Sequence, residues 1–430
     1  MTSFTRRHAL AGAAGLGLTV EFLGANAFAD PVAAKRKLIV VICRGGLDGL
    51  SVSPPVGDAN YAALRGPIAI APFGAPNGAL KLDATFGLHP SLTSVHTLAQ
   101  KGEARIAPAI ATPDRERSHF EAQDVLESGA GHVYATQSGW LNRAVEAMGP
   151  SVKAISVGPT APLILRGKIE AASWSPGGGA QRDNRLPGIL QDLYTHDPLL
   201  GPALAEGLAT EAMAKTAMAD AAQTSEATNA PPPPVMGSAT QPSMRTAMNT
   251  PAQATRPGGL DQARKIGATL AGFMVQPGGM QVAAVSIDNF DTHANQGDGQ
   301  GQLATRLAYV DAFLDGVHTG LGPAWKDSVM VMATEFGRTA RVNGTKGTDH
   351  GTASTALVLG GALKPGGIIG DWPTLQEARL FENRDTYPTL DMRGLFKGVL
   401  RDHMGVSRAA LDGTVFPDSA GVTPVAGVVA

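Results

Sequence analysis

The sequence predicts an α/β fold, a mostly parallel sheet flanked by helices on both faces. Three observations carry that expectation. Short continuous apolar runs, such as Leu38-Ile39-Val40-Val41-Ile42 and Val329-Met330-Val331-Met332, have the character of strands buried on both faces. Stretches with helical periodicity stand between them, over residues 91–101, 260–273 and 302–321. Carboxylates and histidines fall just beyond the runs, where open α/β sheets place ligand and metal sites.

The chain opens with Thr5-Arg6-Arg7-His8-Ala9-Leu10, a weakly apolar stretch and Ala27-Phe28-Ala29. Twin arginines, an apolar core and a small-residue cleavage site predict a twin-arginine export leader over residues 1–29 and a periplasmic or secreted protein. The translocase of that route is then a transient partner. It carries folded passengers, often with a cofactor or metal, so the leader hints at a bound ion. Lys and Arg number 35 against 37 Asp and Glu, which suggests neither nucleic acid nor an anionic membrane as a partner. Beyond the leader no run approaches a membrane span, and no stable membrane insertion is expected after cleavage. Cys43 is the only cysteine, so stability must come from the core rather than from an intramolecular disulfide.

Residues 30–430 read as one α/β domain. The first strand, residues 37–43, ends at Arg44-Gly45-Gly46-Leu47-Asp48-Gly49. Asp48 is either a metal ligand beyond the strand's carboxyl end or a turn aspartate bonding its own backbone. A long loop follows, then a helix over residues 91–101 with Ser91 as cap, then a strand over residues 105–110. Next comes Thr112-Pro113-Asp114-Arg115-Glu116-Arg117-Ser118-His119-Phe120-Glu121. Ser118 with Glu121 forms a capping box opening a helix that Gly129 closes. The same position suits a nucleophile, since free N–H groups at a helix start stabilise an anion, with Arg115 and Arg117 near enough to clamp a phosphate or sulfate.

Strands are expected at residues 154–157 and 163–165, and a helix over residues 187–200. From about residue 206 to 259 the composition shifts, through Pro231-Pro232-Pro233-Pro234 and a Ser/Thr/Pro/Gln run, to that of a low-complexity insertion, with disorder expected over 224–257. A strand over residues 281–287 leads into Asp288-Asn289-Phe290-Asp291-Thr292-His293. In an extended segment positions i and i+2 share a face, so Asp291 and His293 can bind one metal; the alternative is a histidine hydrogen-bonded in a loop. The strand over residues 329–332 stops at Thr334-Glu335-Phe336-Gly337-Arg338, and Thr348-Asp349-His350-Gly351 precedes another apolar run.

The motifs RGGLDGLS, GLHP, RSHFEAQDVLESG, DTHANQ, TEFGRT and GTDHG…GDWP resemble a large uncharacterised bacterial family, exported by the twin-arginine route and described as sulfatase-like: the domain of unknown function 1501. Their order along the chain resembles the alkaline phosphatase and sulfatase superfamily. That resemblance implies an alkaline phosphatase/sulfatase-like sheet, metal ligands at Asp48, Asp291, His293, Glu335 and His350 with Asp349 nearby, and a nucleophile at Ser118. Phe336 stands where a histidine ligand is expected, and Ser118 has no neighbouring cysteine of the kind converted to formylglycine. The expected function is thus an exported metal-dependent hydrolase of a phosphate-type or related sulfate ester, small or polymeric, with Ser118 or a metal-bound water as nucleophile and Arg338 or Arg115 on the transferred oxygens. Mixed N and O ligands favour zinc, while the carboxylates leave manganese, magnesium or calcium open. The alternative is a non-catalytic envelope protein that keeps the fold for binding.

Overall fold

The computed structural model describes residues 35–158, 162–176 and 259–430, with isolated positions between 205 and 216. The export leader, the helix expected over 187–200 and the segment 224–257 lie outside the described residues. The strands in chain order are β1 (Lys37–Cys43), β2 (Leu80–Lys81), β3 (Gly87–Leu88), β4 (Ala104–Ala111), β5 (Ala154–Val157), β6 (Ala172–Trp174), β7 (Val282–Ile287), β8 (Ser328–Ala333), β9 (Ser354–Leu359) and β10 (Leu390–Asp391). The longer helices are α1 (Thr93–Gln100), α2 (His119–Ser128), α3 (Trp140–Met148), α4 (Gly259–Val275), α5 (Gln302–Leu321) and α6 (Met392–Asp402).

Among the described residues eight strands form one sheet in the order β10-β4-β9-β8-β1-β7-β5-β6, and β2 pairs with β3 in a separate hairpin. Every pairing in the large sheet is parallel except those of β9, which runs antiparallel to both β4 and β8. β1 is central, with Leu38 opposite Val282 of β7 and Val329 of β8. Its seven residues are all buried, as a continuous apolar run requires.

Alternate residues of these strands feed two cores. Ile39, Val41, Ala283, Val285, Met330 and Met332 pack with α1, α4 and α5. Leu38, Val40, Ile42, Val282, Ala284, Val329 and Val331 pack on the opposite face with α3 and α6. The fold is therefore α/β, a mostly parallel sheet covered by helices on both faces. None of the helices among the described residues is long and apolar enough to cross a membrane.

Two local expectations differ from the structure. Residues Leu163–Leu165 form a 3-10 turn rather than a strand, held between Pro162, which lacks an N–H, and the bend at Gly167; the strand follows as β6. Helix α1 begins at Thr93, not after Ser91, because its cap is tertiary: the Asp311 carboxylate of α5 accepts from Ser94 N and Val95 N, both at 3.0 Å.

Candidate metal centre

Three chain segments meet at the carboxyl edge of the parallel strands. The loop after β7 brings Asp291 and His293, the connection after β4 brings His119 as the first residue of α2, and the loop from β8 to β9 brings Glu335 to His350. Because β9 returns antiparallel beside β8, that last loop never crosses the sheet, and both of its ends stay at one edge. Its arms lie backbone to backbone: Gly337 N donates to Thr352 O (3.0 Å) and Gly351 N to Gly337 O (2.8 Å). A Cβ on Gly337 would stand 1.8 Å from the Ala353 carbonyl oxygen, and one on Gly351 2.4 Å from the Arg338 carbonyl carbon. Both glycines are thus required by close approach, and their pairing sets His350 opposite Arg338.

His119, Asp291 and His350 offer ligand atoms that all lie within 4.8 Å of one another. His293 joins them: its Nε2 is 3.0 Å from Asp291 Oδ1 and 3.0 Å from His350 Nε2. His350 Nε2 is 3.2 Å from Asp291 Oδ1, and His119 Nε2 is 3.5 Å from Asp291 Oδ2.

The other nitrogen of each ring faces an oxygen. Nδ1 of His119 meets Glu335 Oε1 at 2.9 Å, Nδ1 of His293 meets Asp349 Oδ1 at 3.3 Å, and Nδ1 of His350 meets the Arg117 carbonyl at 2.8 Å. Arg117 presents that carbonyl from a left-handed conformation (φ 58). These acceptors assign the proton to Nδ1 and leave the Nε2 lone pairs aimed at one another across Asp291. Two neutral Nε2 atoms at 3.0 Å repel unless a proton or a cation lies between them. His119 Nε2 is, in addition, buried without a hydrogen-bond partner among the described residues. Three imidazoles and one carboxylate, each ring held from behind by an acceptor, are a donor set that fits a divalent ion of the zinc type.

The electrostatics keep the carboxylates charged. Burial pushes the Asp291 carboxyl up, but the hydrogen bond and charge of Arg338, with His293 and His119, hold it below its ordinary value. Burial likewise acts upward on Glu335, outweighed by bonds from His119, Gly45 N (2.8 Å) and Gln123 Nε2 (3.2 Å). The hydrogen bond to Glu335 raises His119, whereas burial lowers His350, aided by Arg338 and His119. The Asn343 amide holds Asp349 low.

Of the residues singled out from sequence, the structure brings Asp291, His293 and His350 together. Glu335 and Asp349 stand behind His119 and His293 and do not face the centre. Asp48 is elsewhere: fully buried, its Oδ2 takes Arg65, Ser51 Oγ (2.8 Å) and Gln296 Nε2 (2.6 Å), an internal ion pair under the site rather than a ligand. Arg338 is not turned toward a substrate. It is buried and gives its N–H groups to Gly45 O, Gly46 O (2.6 Å), Thr348 O (3.0 Å) and Phe290 O (3.3 Å) and to Asp291, which it holds in place. Arg115 likewise bonds the carbonyls of Thr112 and Asp114 and lies over the Phe381 ring.

Ser118 is the N-cap residue of α2, but its hydroxyl donates to the Glu121 carboxylate instead of accepting a first-turn N–H. Phe336 packs against both rings, its centroid 4.9 Å from His119 and 4.7 Å from His350, while the two imidazoles meet each other edge to face at 4.5 Å. His119 was not assigned from sequence, although it lies within the RSHFEAQ motif; its link to Glu335 spans 216 positions, and no local spacing signals it.

Solved structures with likeness to this chain include the C-terminal periplasmic domain of EcEptC from Escherichia coli in complex with Zn, at 11% identity and TM-score 0.30 over 76% of this chain and 72% of that one. The lipoteichoic acid synthase LtaP from Listeria monocytogenes is 10% identical with TM-score 0.39 over 93% and 79%. BT1596, a 2-O GAG sulfatase, is 11% identical with TM-score 0.30 over 77% and 65%. A search of curated proteins finds no match. Residues 35–415 match the model of a family described as "Protein of unknown function (DUF1501)".

Proposed function

The chain belongs to the DUF1501 family of proteins of unknown function, and we propose from its site that it is an exported, metal-dependent hydrolase of a phosphate-type or related sulfate ester, of the alkaline phosphatase and sulfatase kind. The observation that supports this is the convergence of three histidine Nε2 atoms on Asp291, with every Nδ1 committed to an oxygen. His119, Asp291, His293 and His350 would hold the ion, with zinc preferred for its affinity for imidazole and carboxylate together. Held by these residues, a divalent ion would supply Lewis acidity toward the ester oxygens and the attacking oxygen.

The protein's own groups do the rest. Glu335, Asp349 and the Arg117 carbonyl fix ring orientation, Arg338 fixes Asp291, and Phe336 packs against the His119 and His350 rings, which meet edge to face. The nucleophile is Ser118 or water. For Ser118, the hydrogen bond from its hydroxyl to Glu121 supplies a carboxylate to take the proton. The leader around Arg6-Arg7 supports export by the twin-arginine route to the periplasm or beyond.

One observation favours a second reading, a non-catalytic metal-binding envelope protein: Arg338 and Arg115 are engaged with backbone carbonyls, leaving the transferred anion without the arginine expected of a phosphoryl or sulfuryl site. A screen of phosphomonoester, phosphodiester and sulfate-ester substrates on metal-loaded protein separates the two. Hydrolysis that chelator abolishes and zinc restores upholds the enzyme; metal-loaded protein inert on all three classes upholds the alternative. Within the enzyme reading, Ser118→Ala should abolish turnover and leave metal content intact, whereas full activity assigns the attack to water.

A further inference from the structure

Beside the metal centre lies a cavity of about 480 Å³, within the range of about 300–1,000 Å³ usual for small-molecule sites. One wall is the carboxyl ends of three parallel strands: Arg44 after β1, Gly158 after β5, and Ser286 and Asp288 at the end of β7. The other wall is α2, whose Phe120, Gln123, Asp124 and Glu127 share one helix face. The same helix starts with His119, and Gln123 bonds the Glu335 oxygen that orients that histidine. Cavity and metal centre are therefore about one helical turn apart.

Two features of this cavity are unexplained by packing among the described residues. Phe120 is 83% exposed and Tyr134 is 70% exposed at its rim, large aromatic faces left in water. Tyr134 is moreover held at φ 55, a region bulky residues avoid, by a 2.7 Å bond from its N–H to Asp124 Oδ1. Between these faces the wall is dense in polar groups of both signs. Arg44 is committed to Glu127, to Gln123 Oε1 (2.6 Å) and to Ser286 Oγ (3.3 Å), and Glu127 also accepts from Ile164 N (3.0 Å). Asp124 and Asp288 add acceptors, and Arg166 a second cation.

A ligand group with net charge of either sign would meet like charges here. An aryl or alkyl group would strip water from the carboxylates without giving them partners. A pyranose ring satisfies both demands, with apolar C–H faces for the aromatics and hydroxyls that donate to carboxylates and accept from arginine and amide. We propose that this cavity binds the neutral sugar portion of the substrate, which makes the substrate a phosphate or sulfate ester of a carbohydrate. The identity of the ester rests on the hydrolase reading; the sugar site stands on the cavity's own residues.

Saturation-transfer NMR on the metal-loaded mature protein tests it, with the methyl glycosides of glucose, galactose and N-acetylglucosamine as probes and p-nitrophenol and choline as controls. At least one glycoside should receive saturation, and its dissociation constant should rise tenfold or more in the Phe120→Ala/Tyr134→Ala double variant, whose fold is safe because both side chains are exposed. In His350→Ala, glycoside binding should persist while metal is lost. Absence of transfer to all three glycosides, transfer to p-nitrophenol or choline in their place, or an unchanged constant in the double variant would overturn the sugar site. Glycoside binding by a protein inert on every ester sinks the hydrolase reading and upholds the cavity; ester hydrolysis without glycoside binding does the reverse.

Discussion

Replacing Glu335 by Gln changes one charge and one acceptor while keeping the shape of the side chain. Glu335 is fully buried, and its Oε1 accepts from Gly45 N, His119 Nδ1 and Gln123 Nε2 at 2.8, 2.9 and 3.2 Å. Its Oε2 accepts from Thr334 Oγ1 at 2.9 Å. Its carboxyl sits below the ordinary range, so the variant removes a full negative charge at neutral pH. The Gln oxygen can keep the three donors on one side, but the new NH2 group then faces Thr334 Oγ1, which already accepts from Leu47 N (3.0 Å), and the hydroxyl must turn. That mismatch costs about 1–3 kcal/mol of stability. His119 meanwhile loses the charged partner that fixes its tautomer, and loss of such a partner weakens a metal about 10–100-fold, roughly 1.4–2.8 kcal/mol. Competition against a fluorescent chelator measures the zinc affinity, and urea unfolding of the metal-free protein measures the stability. A zinc affinity equal to wild type would refute the orienting role of Glu335. Complete loss of zinc from a folded variant would instead put Glu335 among the ion's own ligands.

Three further outcomes follow from the same geometry. Asp48→Ala strands the fully buried Arg65, so urea unfolding should show a loss of about 3–5 kcal/mol with metal content unchanged; metal lost at unchanged stability would return Asp48 to the centre. In Gly337→Ala the new Cβ would sit 1.8 Å from the Ala353 carbonyl, forcing the loop arms apart, so the zinc-induced rise in Tm should shrink; an undiminished rise would contradict the pairing argument. Burial pushes His89 and His403 down to about 4, below the unfolded value of 6.5. Between those values the unfolded chain binds more protons than the folded one, so stability falls as pH drops through that window, by about 2 kcal/mol per histidine between neutral pH and about pH 5. His403→Gln should lose its share of that acid sensitivity, and an unchanged stability profile against pH would oppose it.

What could be read from sequence followed from local signals. Apolar runs located β1, β5, β7 and β8, and a twenty-residue amphipathic period located α5. The Gly129 stop marked the end of α2, where that glycine indeed takes a left-handed conformation. Asp291, His293 and His350 stood out because they follow or precede such runs. The reversed direction of β9 was not legible, since an apolar run looks the same in either sense. Nor was the difference between Asp48 and His119, because it depends on partners far along the chain: Arg65 and Gln296 draw the aspartate inward, while Glu335 turns the histidine toward Asp291. Arg338 misled for a related reason. A strand-end arginine reads as a substrate clamp until five acceptors are found around it.

Elemental analysis of the purified mature protein, beside its His350→Ala variant, tests the metal centre most directly. The wild-type chain should hold a divalent ion in stoichiometric amount, zinc before the others, should lose thermal stability in chelator, and should lose the ion in the variant. A metal-free wild-type protein whose melting is indifferent to chelator would contradict the account.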